Sequence, residues 1–206
     1  MTFETRNMNS LNGYEIILAS GSPRRKAFFK EMGLDFKNKV IPVNEDFPTG
    51  LNGVEIARHI TRKKTVPFLD IVKEKQIIIT ADTIVWHENK FMGKPKNVSE
   101  AKDMLIRLSN STHEVITAVG FLQKKKLEII HEVSKVTFRK ISNLEIEKYI
   151  KSGLPFDKAG GYGIQDSFGT INIIHIEGSF TNIIGLPVAQ VFEKINEIVN
   201  QNLMIL

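Results

Sequence analysis

The chain contains no cysteine, which excludes disulfides, thiolate metal sites and a cysteine nucleophile and makes a reducing compartment its natural setting. Long apolar runs are missing too; none approaches the roughly 18 residues that a membrane-spanning helix requires. Residues 1–13 carry a single cation, Arg6, and no apolar centre, so neither a signal peptide nor an anchor is expected there. Aromatics make up only 8% of the chain, mostly phenylalanines set within apolar segments. The basic balance and the lysines at 124–126 raise nucleic-acid binding as a reading, but no stacking platform supports it. His59, His87, His113, His131 and His175 are scattered without zinc-helix spacing. A soluble cytoplasmic protein with no nucleic-acid or membrane partner is the expectation.

What is present suits an enzyme. The 206 residues, 42% of them hydrophobic, can bury a sizeable core, and an excess of 28 basic over 23 acidic residues suits an anionic small molecule. Ile16-Ile17-Leu18-Ala19 reads as a buried strand, and Ser22-Pro23 as the cap and first turn of a helix through Met32, closed by Gly33. A strand is expected over 36–43, a helix over 54–72 and a buried strand over 76–85. Ser99 is expected to cap a helix through Leu108. Two strands over 114–138 turn at 124–126, and Ser142 with Glu145 opens a capping-box helix. After a glycine-rich stretch come a strand over 171–176 and a helix over 187–199. Strands alternating with helices, plus a hairpin, imply an α/β protein with a mixed sheet. The expected organisation is an N-terminal extension over 1–13 and one domain over 14–206.

Candidate chemistry begins at Ser20-Gly21-Ser22-Pro23-Arg24-Arg25. Two arginines in a helix's first turn oppose the macrodipole by roughly 0.3–1 kcal/mol each. With the hydroxyls of Ser20 and Ser22 and the free amides of the helix start, they form either a phosphate cradle or an exposed arginine pair beside an ordinary cap. Asp82 interrupts the apolar run Ile77–Val85 at what reads as a strand end. A buried carboxylate there needs a cation, a lysine or a hydrogen-bond network, or else it receives only backbone hydrogen bonds. Glu45 is a candidate second oxygen ligand for a hard cation or a plain loop carboxylate. Lys94 and Lys158 sit beside glycines that let a ligand approach the backbone; each alone reads equally as a surface lysine. Glu88 and Pro95 exclude a Walker loop around Gly93-Lys94, and Gly160-Gly161-Tyr162-Gly163 lacks the setting of a dinucleotide fingerprint.

The segments Leu18-Ala19-Ser20-Gly21-Ser22-Pro23-Arg24-Arg25, Ala81-Asp82-Thr83, Gly93-Lys94-Pro95, Asp157-Lys158-Ala159-Gly160, Tyr162-Gly163-Ile164-Gln165 and Gly185-Leu186-Pro187 together resemble the Maf family of nucleotide pyrophosphatases, in family order from Ile16 to the final helix. The resemblance implies an elongated mixed sheet flanked by helices, with two lobes about a central cleft, as in inosine triphosphate pyrophosphatase. It also implies hydrolysis of a nucleoside triphosphate to the monophosphate and pyrophosphate, with a divalent metal, magnesium or manganese, as cofactor. Asp82 would be the proton acceptor and, with Glu45, a metal ligand. Ser20, Ser22, Arg25, Lys64, Lys94 and Lys158 would meet the phosphates; Lys64 here lies between Lys63 and Thr65, whereas Ala usually follows it. Arg24, Thr83 and Gln165 match the branch acting on dTTP and UTP. The branch acting on 7-methyl-GTP, with Trp, Gln and Glu at these positions, is the alternative. The resemblance further suggests a homodimer, and it leaves open an interaction protein that influences septum formation. Asp166 replaces a usual Gly, Gly161 a common Ala, and Asn110 a usual turn Gly.

Overall fold

The computed structural model describes residues 11–124 and 126–200. Residues 1–10 of the expected extension, 201–206 of the expected domain, and Lys125 of the lysine turn lie outside the described residues. In chain order, β1 (Glu15–Leu18) leads into α1 (Pro23–Glu31) and β2 (Phe36–Asn38). Next come α2 (Gly53–Thr65), β3 (Gln76–His87), β4 (Lys90–Met92), α3 (Val98–Leu108) and the hairpin of β5 (Thr112–Gln123) and β6 (Lys126–Phe138). The chain continues through α4 (Asn143–Lys151), α5 (Ser167–Asn172), β7 (Ile173–Glu177), α6 (Phe180–Ile184) and α7 (Val188–Asn200).

The strands form the expected mixed sheet, in the order β2-β1-β3-β5-β6-β7 with β4 on β3. β1 is parallel to β2 and β3, whereas all pairs beyond β3 are antiparallel. β3 is the seam between the two halves. On one side it pairs with β5 from Ile78 to Trp86. On its other side β1 reaches only to Ile79 and β4 begins only at Val85. Residues 80–84 therefore have a strand on one edge and none on the other. Asp82 lies in this break, midway along β3 and not at its end as the sequence suggested.

Alternation along β3 assigns its two faces. Ile77, Ile79, Ala81 and Val85 join the larger core with Phe28 and Phe29 of α1, α3, α4 and α7. Ile84 points the other way, to Ile56, Ala57 and Ile60 of α2. Each isoleucine buried there contributes about 1.5–3 kcal/mol. Because residues four apart share a helix face, seating Ile56 and Ile60 on the sheet carries Lys64 down onto it as well. Asp82 has the parity of Ile84, so the two side chains meet.

Several element limits differ from the sequence reading, each for a local reason. β2 stops at Asn38, whose amide turns back to donate to the Leu18 and Ser20 carbonyls at 2.8 Å each. α2 starts at a capping box between Asn52 and Glu55. It stops at Thr65 because Pro67 has no N–H to continue the helical ladder, although Val66 keeps helical backbone; 66–68 form a 3₁₀ turn that buries Phe68. Asn97 caps α3 in place of Ser99, accepting from the Glu100 amide at 2.9 Å. Ile171 and Asn172 complete α5, an unexpected helix in the glycine-rich stretch, and β4 and α6 were also unexpected. Asn110 takes the left-handed backbone, φ 56°, that the replaced glycine would have adopted. Among the described residues no helix is long and apolar enough to cross a membrane.

Candidate active site

The break in the sheet is the floor of a cleft of about 1110 Å³. Four loops wall it: the one between β1 and α1, the one around Glu45, the one between β4 and α3, and the segment 157–166. Every site residue expected from the sequence lines this cavity: Ser20, Ser22, Arg24, Arg25, Glu45, Lys64, Asp82, Thr83, Lys94, Lys158 and Gln165. Two of the loops are tied together, since the Gly160 amide donates to the Gly93 carbonyl at 3.0 Å. Gly160 has φ +69°, and an added Cβ would stand 2.8 Å from Val85. Only glycine lets this turn pack on the sheet and hold Lys94 and Lys158 in one cavity.

At the floor, Asp82 is 8% exposed and its Oδ1 accepts from Lys64 Nζ at 2.7 Å. The same ammonium is 3.0 Å from Glu45 Oε1. Burial pushes the Asp82 carboxyl above its ordinary range. The charge and hydrogen bond of Lys64 and the charge of Arg25 pull it back, while Glu45 pushes it further up. Neighbouring charges hold Glu45 in place, as Lys63 pairs with the adjacent Asp46. Thr65, where Ala is usual, fits without loss because its hydroxyl donates to the Arg62 carbonyl of its own helix at 2.6 Å.

Arg25 fills the break itself. Its guanidinium donates to the Ala81 carbonyl at 2.9 Å, the Gly185 carbonyl at 2.8 Å, Thr83 Oγ1 at 2.9 Å and Ser20 Oγ at 3.3 Å. Burial lowers its pKa, and the charge of Asp82 supports its protonated form. Thr83 is also 2.9 Å from Thr117. Arg24 pairs with Asp157 across the cleft mouth at 2.9 Å. Ser22 caps α1, its hydroxyl accepting from the Arg25 amide at 3.4 Å. Lys94 and Gln165 are exposed to the cleft.

Other contributors escaped the sequence reading. Asp157, which in the sequence is only part of a motif, holds both Arg24 and Lys158. Tyr162 and His113 form a buried pair at 2.7 Å beneath the loop that carries Gln165. Burial pushes the His113 pKa down to about 3, so this support stays uncharged. In the sequence His113 is only one of five scattered histidines, because Tyr162, the partner that gives it a role, lies 49 residues away.

For a metal, Asp82 and Glu45 supply two carboxylates converging on one point of positive charge, the ammonium of Lys64. Among the described residues no three acidic, histidine or cysteine side chains form a ready cage. Two hard oxygen ligands in a cleft otherwise lined by arginines and lysines nevertheless fit magnesium or manganese, which commonly complete their shell with water and substrate phosphate.

An α/β sheet broken over a buried carboxylate, with cations around the break, suits an anion held in the cleft. A family model described as Maf-like protein matches residues 15–198, and the chain belongs to the Maf family. It is 47% identical over 189 residues to the dTTP/UTP pyrophosphatase of Flavobacterium johnsoniae, covering 92% of this chain and 97% of that one. To the dTTP/UTP pyrophosphatase of Phocaeicola vulgatus it is 39% identical over 192 residues, 93% of this chain and all of that one (100%). Among solved structures, the Staphylococcus aureus Ham1 protein overlaps with 60% of this chain and 71% of its own at 13% identity, TM-score 0.43, too slight a likeness to bear on the site.

Proposed function

We propose that the protein is a cytoplasmic nucleoside triphosphate pyrophosphatase that converts dTTP and UTP to the monophosphate and pyrophosphate. The observation that carries this reading is Asp82, a desolvated carboxylate in the break of the sheet, joined through Lys64 to Glu45 in a cavity that Lys94 and Lys158 also line. The names of the relatives at 47% and 39% identity support the same substrates.

In this reading Asp82 takes a proton from a water molecule. The water oxygen bonds to the α-phosphorus, and the bond from that phosphorus to the oxygen bridging to the β-phosphate breaks. The electron pair leaves with pyrophosphate. A carboxylate raised by burial is the stronger base at neutral pH. Lys64 orients it, and Lys94, Lys158 and the hydroxyls of Ser20 and Ser22 hold the phosphate chain. Asp82 and Glu45 would hold magnesium or manganese, which when bound would neutralise charge developing on the phosphate oxygens. Arg25 supports the floor and lends it positive charge.

Base selection falls to Arg24, Thr83 and Gln165, which line the same cavity. The Gln165 amide offers one donor and one acceptor side by side, matching the edge of uracil or thymine. A methylated, cationic guanine would favour an aromatic face and a carboxylate in these three positions, and none is present.

The test is a nucleotide panel with purified protein and magnesium or manganese, the products separated by ion exchange. Monophosphate and pyrophosphate from dTTP and UTP are expected. Orthophosphate and diphosphate would refute the reaction, and a preference for 7-methyl-GTP would refute the substrate.

A further inference from the structure

Lys158 is held from three sides. Its ammonium donates to the Leu154 carbonyl at 2.7 Å and to Asp157 Oδ1 at 2.6 Å, and lies 3.4 Å from Asp166 Oδ2. An ammonium has three donors, and this side chain is only 10% exposed. A phosphate oxygen can gain a hydrogen bond from Lys158 only by displacing one of these partners.

Asp166 is the partner arranged to yield. Its contact is the longest of the three, and the same oxygen already accepts from the Tyr149 hydroxyl at 2.5 Å. Tyr149 is fixed in turn, stacked on Phe168 with ring centres 4.3 Å apart, and its hydroxyl accepts from the Gly163 amide at 3.3 Å. Burial and the neighbouring carboxylate keep the phenol protonated. Asp166 stands at the N-cap of α5, yet its side chain makes no capping hydrogen bond. It is turned towards Tyr149 and Lys158 instead.

We propose that Asp166 is a positioning residue, a counter-ion that Lys158 exchanges for a phosphate oxygen while Tyr149 keeps the released carboxylate in place. The inference rests on the reading of the cleft as a triphosphate site. It assigns Asp166 to affinity for the phosphate chain, leaving the chemical step to Asp82. A standing negative charge beside Lys158 weakens the grip on any polyphosphate, including the pyrophosphate product, and so favours its release.

Pyrophosphate with magnesium, titrated calorimetrically into the full chain at two salt concentrations, tests this. Asp166→Asn is expected to bind it about three- to tenfold more tightly than wild type, the gain shrinking at high salt. In a Lys158→Met background the same substitution should give no gain, and thymidine affinity should not change in either. Tyr149→Phe leaves both charges but frees Asp166 to stay on Lys158, so it should weaken pyrophosphate binding. Equal or weaker binding by Asp166→Asn, a gain that survives Lys158→Met, or tighter binding by Tyr149→Phe would each overturn the inference while leaving the proposed function intact. Absence of pyrophosphate binding by both wild type and Asp166→Asn would likewise overturn the inference, whereas the proposed function stands or falls on the products of the nucleotide panel.

Discussion

Arg25 supplies to Ala81 the hydrogen bond that a neighbouring strand would have given. Its Nη1 meets the Ala81 carbonyl at 2.9 Å, where β1 has ended and β4 has not begun. The same guanidinium ties in Gly185 and Thr83, so one side chain from α1 joins β3 to the turn after α6.

Arg25→Lys is therefore expected to cost about 2–4 kcal/mol of stability. A lysine reaches one of these acceptors and leaves the others buried without a donor. Urea unfolding should show a lower midpoint at unchanged slope. Full stability combined with a raised KM would instead make Arg25 a phosphate ligand alone.

Asp82→Asn should lose about 10²–10⁴-fold in turnover while being at least as stable as wild type at pH 7. Burial holds the folded pKa above 3.8, so ionising Asp82 works against the fold. Its favourable contribution is complete below the unfolded pKa and is lost as pH rises through the folded value. Thermal melts across this range should show the gap opening in the variant's favour, and the acid limb of kcat/KM should lie above the ordinary aspartate range. A less stable variant at neutral pH would contradict the sign.

Chelation should abolish turnover, and added magnesium or manganese should restore it. Glu45→Gln is expected to raise the metal concentration for half-maximal activity by about tenfold or more with little effect on unfolding, since Glu45 is on an exposed loop. An unchanged metal titration would remove Glu45 from the site.

Gly169→Ala reverses a usual rule. In a helix interior this change ordinarily gains about 1 kcal/mol. Here the new carbon would stand 2.2 Å from the Gly163 carbonyl oxygen, so a loss of roughly 2 kcal/mol or more is expected. Displacing Gly163 also shifts Gln165, so KM for dTTP should rise. Calorimetric melting and steady-state kinetics would show both.

Much of this was legible before the fold was known. The apolar run around Asp82 announced a carboxylate within a buried strand, whereas Lys64 stood out only through the family resemblance, since the lysines and arginines over 54–72 read as lying between the apolar positions of their helix. The break in the sheet was not legible, because pairing on one edge of a strand leaves no mark on that strand's own pattern. For the same reason Arg25 read as a phosphate ligand beside Arg24, whereas its guanidinium is occupied by carbonyls and hydroxyls from residues 20, 81, 83 and 185. Asp157 and Tyr149 were missed because Arg24, for the first, and Gly163 and Asp166, for the second, lie 133, 14 and 17 residues away in sequence. The α5 helix was hidden among glycines whose purpose is close contact.

The break at 80–84 also amounts to an edge strand enclosed within the molecule. Exposed edges are the places where sheets of separate molecules join. Here an arginine caps the edge from inside, and its charge makes it a poor template for another strand. A catalytic opening can thus be cut into the middle of a sheet without offering the chain a second place to aggregate.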